Sequence, residues 1–293
     1  MSISTADIKE LRERTSAGIL DCKKALNESD GDMEKAVDYL REKGIASAEK
    51  RSDRTASEGL VAVKEKGDYA AIVEVNSETD FVAKNDKFKT IVDKLINHVL
   101  ENKPADTEEV LEQEFANSGK TVEKFLKESI AEIGENISFR RFSLLEKDTE
   151  ETFGVYLHMG GSIGVILKIN GGDNQLAKDL AMHIAAINPD YLDRDSVPEA
   201  DVEKEKKMLE KQAAEEDKPE HIIEKIVEGR LNKFYNQNCL LEQEYVKDSD
   251  IQVSELLDDK GAEIVEFIRY EVGEGIEVEK EDFAKEVENE INN

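Results

Sequence analysis

Apolar residues recur at spacings of three and four through the first 44 positions, and this rhythm predicts three short helices within residues 5–44. Ile8 and Leu11 mark the first, Ile19, Cys22 and Leu26 the second, and Met33, Val37 and Leu40 the third. Thr15-Ser16 and Ser29-Asp30-Gly31-Asp32 are the breaks, and Gly44 is the expected stop. Residues 45–58 carry many charges and little apolar content, as a linker or a solvated helical extension would. A three-helix domain is therefore bounded at residues 1–53.

From Gly59 the rhythm changes to strand-like alternation, and the new pattern occurs twice. In the first copy, residues 59–64 and 70–76 flank a turn at Lys66-Gly67-Asp68, and a helical stripe of Phe88, Ile91, Val92 and Leu95 follows. In the second, residues 154–158 and 163–170 flank Met159-Gly160-Gly161-Ser162, and the stripe is Leu176, Leu180, His183, Ile184 and Ile187. Related strands close both copies: residues 136–142 align with 264–270, matching Phe139 to Phe267 and Arg141 to Arg269. The predicted fold is α+β, a duplicated core of two subdomains with three-stranded antiparallel sheets packed on helices. Alternation would leave Glu74, Lys64 and Lys168 on the outer faces. Core subdomain N spans 54–148, and core subdomain C spans 149–192 and 237–272.

Two further segments complete the division. Residues 193–236 read as an antiparallel helical hairpin, with Pro198 at a helix start and Asp217-Lys218-Pro219 as its turn. Its first arm offers only Val202, Met208, Leu209 and Ala213, too little to bury alone, and a second subunit is a candidate for what it pairs with. The C-terminal module, 273–293, places Phe283, Val287 and Ile291 four apart on a short amphipathic helix, which either packs on the core or docks on a partner.

Composition narrows the function. A chain of 293 residues should hold more than one compact unit. Its 68 acidic and 40 basic residues leave a net charge of −28, which repels phosphate backbones and excludes nucleic acid as a partner. Residues 1–54 hold 11 basic against 12 acidic residues, so the excess lies elsewhere and the first domain can face a different surface. Cys22 and Cys239 stand far apart, without the spacing of a disulfide framework or a cysteine metal site. The N-terminus lacks a signal peptide's apolar core, and no apolar run reaches the roughly 18 residues of a membrane span, so a cytoplasmic protein is expected.

The search for bond-making chemistry returns little. No GxxxxGK[ST] loop is present, and the glycines at 171–172 and 273–275 read as hairpin-like turns, so no direct nucleotide binding is expected. His98, His158, His183 and His221 fall on separate elements without metal-ligand spacing, and His98 and His183 read as packing residues. With no GxSxG elbow and no argued triad, the chain is expected not to be an enzyme and to need no cofactor or metal. The run from Ser77 to Asn85 is different. Thr79 or Asp80 looks like a helix cap, and Phe81 then begins a helix, where a large aromatic either folds onto the core or projects into a partner.

Thr79-Asp80-Phe81-Val82-Ala83-Lys84 resembles the signature of the elongation factor Ts family, and other stretches agree in order along the chain. Leu11 to Thr15, Ala17-Gly18 and residues 21–26 are similar to the family's ubiquitin-associated-like helical domain; residues 133–137, 228–230 and 267–275 are similar to its core. The resemblance implies a guanine-nucleotide exchange factor in translation elongation, binding elongation factor Tu with GDP and opening its nucleotide site. It reverses the weight on Phe81. Thr79, Asp80, Phe81 and Val82 would form a wedge disturbing the partner's Mg²⁺ and phosphate site, and Arg12, Ile19, Leu20 and Lys23 would grip the GTPase domain. Ile133 and Gly134 would support the wedge contact, His158 would meet another domain of the partner, and Phe283 and Val287 would touch the GTPase domain again. The helical hairpin matches a region that mediates homodimerisation in some members. Ser16, the Ile19-Leu20 pair and Ser162 depart from the usual family residues. The alternative function is a protein-binding adaptor or holdase acting through the N-terminal helical module.

Overall fold

The apolar stripes of residues 5–44 close into one small core. In the computed structural model, which describes residues 3–15, 17–215 and 219–277, the helices are α1 (Thr5–Thr15), α2 (Ile19–Glu28) and α3 (Met33–Glu49). They bury Leu11, Cys22, Ala25, Leu26 and Ala36, with Ile8, Met33, Val37 and Leu40 packed around them. Asp32 starts α3 by accepting the Lys35 amide proton.

The first copy of the repeat contains β1 (Glu58–Lys66), β2 (Tyr69–Ser77), the single turn α4 (Asp80–Ala83), α5 (Asp86–Asn102), α6 (Thr107–Glu112), α7 (Val122–Ile133) and β3 (Ile137–Glu146). The second contains β4 (Glu151–His158), β5 (Ile163–Asn170), α8 (Asn174–Ile187), then α9 (Glu199–Ala214), α10 (Glu220–Asn238), β6 (Glu244–Tyr245), β7 (Asp248–Gln252), α11 (Val253–Lys260) and β8 (Glu263–Glu271). The sheets run β1-β2-β3 and β4-β5-β8, so each closing strand joins the second strand of its own hairpin, and the fold is α+β. β4 and β5 are antiparallel, from Glu151 opposite Asn170 to His158 opposite Ile163. Val165, Leu167 and Ile169, two apart on β5, face Leu176, Ala177, Leu180 and Ile184 of α8 in one core. By packing, the chain divides into two compact units: residues 1–60, 73–142 and the segment from Glu271, and residues 61–72 with 143–270.

Several expectations give way to packing. α3 does not stop at Gly44 but runs through it to Glu49. A Cβ on Gly44 would stand 2.7 Å from the Cβ of Ala131 on α7, so this glycine permits close approach of two helices and ends neither. Glu74 is not on a solvent face: residues 70–77 of β2 are all buried, and Glu74 has no exposure. Its Oε1 accepts hydrogen bonds from Arg140 Nη1 and the Gly273 amide, each at 2.8 Å, and its Oε2 accepts one from Arg141 Nε at 2.5 Å. A covered carboxylate persists only with such partners. Burial by itself would raise its pKa, but the Gly273 amide and the two guanidiniums outweigh burial and draw it below the usual range.

Lys168 is also more covered than expected, donating to the Glu146 carbonyl at 3.0 Å. Gly171 and Gly172 do not make a hairpin turn; they connect β5 to α8, where Asp173 caps the helix by accepting from the Leu176 amide at 2.8 Å. The cap aspartate occupies the helix start, and the Gly171 backbone packs against the Gly261 carbonyl. In the hairpin, α9 and α10 begin after Pro198 and Pro219, and Leu209, Ala213 and Val227 form its buried cluster, whereas Met208 is exposed. Helices α6, α7 and α11 and the β6-β7 ribbon extend the elements read from the pattern. Phe283, Val287 and Ile291, with Ser16 and the Asp217-Lys218 part of the expected turn, lie outside the described residues.

Candidate functional site

Between β2 and α5 the chain makes one helical turn, α4, and its local chemistry explains why. Thr79 takes extended backbone angles and its Oγ1 accepts the Val82 amide proton at 3.3 Å, which satisfies one of the unpaired donors of a helix start. The turn ends within four residues, because Asn85 leaves the helical conformation and its Oδ1 accepts the Lys87 amide at 2.8 Å, starting α5. Val82 and Ala83 face inward and are buried. Phe81 points the other way and is 81% exposed. Spacing alone left its direction open; the cap and the two inward residues decide it.

Asp80 lies beside Phe81 and forms an ion pair with Lys84, one turn on, at 2.6 Å. The hydrogen bond from the Lys84 ammonium holds the Asp80 carboxyl below its ordinary value, and the lysine is raised in return. The pair is solvent-facing, so a competing cation or backbone donor can replace Lys84 at small cost. α4 therefore presents an apolar ring next to an acceptor-only carboxylate. Lys87 ties the start of α5 to α7 through Glu132 at 2.5 Å.

The other expected site residues fall as follows. Ile133 is the half-buried last residue of α7, and Gly134 follows it in the left-handed conformation, φ 92°, as the helix C-cap. The chain then passes directly to Glu135, whose carboxylate accepts hydrogen bonds from Thr79, so Ile133-Gly134 stands close in the chain to the residue that holds the start of α4. Arg12 and Lys23 are exposed on α1 and α2, and Ile19 and Leu20 are 56% and 82% exposed in the first turn of α2. Two such apolar side chains side by side at a helix start form an exposed apolar surface among the described residues. In the second unit, His158 ends β4 half-buried with its Nδ1 3.4 Å from the Tyr156 hydroxyl, between exposed Leu157 and Met159. Phe283 and Val287 lie outside the described residues.

Sequence reasoning missed Glu78, Glu135 and Asn136. They lie inside the runs 77–85 and 133–137 that the sequence singles out, but what they contact is far away in sequence, so no role was legible for them.

α4 is thus a capped single turn with one aromatic and one carboxylate turned to solvent. The family model described as elongation factor TS matches residues 78–274, beginning at the residue before Thr79. The chain belongs to the elongation factor Ts family, nucleotide-exchange factors of translation elongation whose partner is the GTPase elongation factor Tu.

Proposed function

We propose that this chain accelerates GDP release from elongation factor Tu by pressing Asp80 and Phe81 against the partner's Mg²⁺ and phosphate site, so that GTP can replace GDP. The observation that carries this reading is the exposure of Phe81 on a turn whose neighbouring residues are buried and capped. An apolar ring held in water gains on entering a partner pocket, and a turn that is already ordered loses little freedom in doing so. Asp80 adds a charge that competes with phosphate for a cation or a backbone donor.

The factor needs no bond chemistry of its own. It stabilises a partner conformation that holds nucleotide poorly, and by reciprocity bound nucleotide weakens the factor by the same free energy. GTP binding then expels it. The proposed grip comes from Arg12, Ile19, Leu20 and Lys23 on the 1–53 module, from Ile133 and Gly134, from His158, and from Phe283 and Val287 in 273–293. The α9–α10 hairpin, within 193–236, is the proposed homodimer contact, and the cytoplasm is the proposed place of action. On this reading no nucleotide, nucleic acid, metal or cofactor binds the chain directly.

The test is release of a fluorescent GDP analogue from elongation factor Tu, followed by stopped flow with and without the full chain. Accelerated release is expected, and it should fall for Asp80→Ala. Release at the unassisted rate would overturn the proposal and favour the adaptor reading.

A further inference from the structure

The cap that orders α4 is itself held from a distance. Thr79 Oγ1 donates to Glu135 Oε1 at 2.7 Å, and the Thr79 amide donates to Glu135 Oε2 at 3.0 Å. Both oxygens of one carboxylate are thus committed to one residue. With its proton directed to Glu135, the threonine hydroxyl turns a lone pair toward the Val82 amide, which is the bond that starts the turn.

The arrangement is reciprocal. Glu78 Oε1 accepts the Asn136 amide at 2.6 Å, so the dipeptides Glu78-Thr79 and Glu135-Asn136 each supply a carboxylate to a backbone N–H of the other. Asn136, 6% exposed, sends Nδ2 to the carbonyls of Ser52 at 3.3 Å and Arg54 at 2.8 Å, and Arg54 reaches Glu78 Oε2 at 3.3 Å. The segment carrying Glu135 is therefore fixed on three sides, and Gly134 turns the chain out of α7 to put it there.

We propose that Glu135 is a positioning residue for nucleotide exchange, setting the direction in which Phe81 leaves the surface through the Thr79 cap. The inference rests on Asp80-Phe81 being the wedge. A single helical turn has no intrinsic stability, because nucleation is unfavourable and too few intrahelical bonds follow it. Without Glu135 the threonine hydroxyl rotates freely and the Thr79 amide loses its partner. The turn then frays, and entry of Phe81 into its pocket must also order α4.

The test is a double-mutant cycle on the full chain, read as the maximal rate of fluorescent-GDP release from elongation factor Tu. In the otherwise wild-type chain, Glu135→Ala should slow release at least about tenfold, close to the loss of a single hydrogen bond to a charged group, because the effect reaches Phe81 only through the cap. In a Phe81→Ala background the same substitution should change the rate less than about twofold, because the residue acts through the ring already removed. General destabilisation would lower both backgrounds alike, so the non-additivity separates positioning from folding. Glu135→Gln, which keeps the shape and one acceptor, should fall between, and it takes the place of Glu135→Ala in the cycle if the alanine variant does not fold. Equal slowing in both backgrounds, or no slowing of an active wild type, overturns the positioning role and leaves the wedge standing. Absence of acceleration by wild type overturns both.

Discussion

Phe81 and Val82 are consecutive residues of one helical turn and sit at opposite extremes, 81% and 9% exposed. The fold holds the valine, and no described residue covers most of the phenylalanine. Phe81→Ala should therefore change unfolding free energy by less than about 0.5 kcal/mol. Val82→Ala should cost about 1–3 kcal/mol through lost burial and the void left behind. Denaturant titrations of the two variants check this; equal losses would mean that the ring is part of the core.

Glu74 gives an acid-sensitive term with a defined sign. Its folded pKa lies below the ordinary value of 4.5, so the stabilisation is present above that value and is lost as pH falls through the lower folded value. Glu74→Gln removes the buried charge that Arg140 and Arg141 share, while Arg141 keeps its pair with Glu274 at 3.0 Å. Since both arginines keep some solvent, the cost at neutral pH should be about 2–4 kcal/mol. The difference between variant and wild type should shrink as pH falls below about 4.5, measured as unfolding free energy against pH. A constant difference would contradict the ion-pair account.

Two helical glycines should respond oppositely to alanine. At Gly44 a Cβ would meet that of Ala131 at 2.7 Å, well inside carbon contact distance, so overpacking of about 1–3 kcal/mol should outweigh a propensity gain of about 1 kcal/mol. At Gly229 in α10 a Cβ meets nothing within 4 Å, and Gly229→Ala should stabilise by up to about 1 kcal/mol. Thermal melts of the pair read the opposite signs directly.

His183 should stay neutral where a free imidazole is half protonated. Burial lowers its pKa, opposed by the bond to Gln243. Because the Val246 amide donates to Nδ1 at 3.1 Å, the ring proton sits on Nε2 and points at Gln243 Oε1, 3.0 Å away. Its folded pKa is depressed, so its contribution is full above about 6.5 and is lost as pH falls below that value. Nitrogen-15 spectra of the imidazole should show the Nε2–H tautomer persisting below pH 6.5; a charged ring at that pH would contradict the assignment.

What was legible in the sequence was local. Thr79 caps a helix, and Asp32 closes the break before α3, because a side chain three residues from its target needs no tertiary information, and the stripes of α1 to α3, α5 and α8 carry their own period. The duplicated sheet showed because its strands repeat in order. Glu74 was misread because alternation tells which face a residue occupies and not whether that face is covered. Gly44 was misread because a glycine that ends a helix and one that admits a second helix look alike without the neighbour. The Glu135–Thr79 bonds span 56 residues and leave no periodic trace, so the support of the α4 cap emerged only with the structure. Phe81 stood between: its helix start was readable, its direction was not.

On the proposed mechanism Phe81 drives nucleotide release and does not merely add grip. The direct measurement is the maximal rate of fluorescent-GDP release from elongation factor Tu at saturating concentrations of wild type and Phe81→Ala. The variant should still form the complex but release GDP at least about tenfold more slowly, a loss of about 1.4 kcal/mol in barrier lowering. A variant that reaches the wild-type rate once saturated would contradict it.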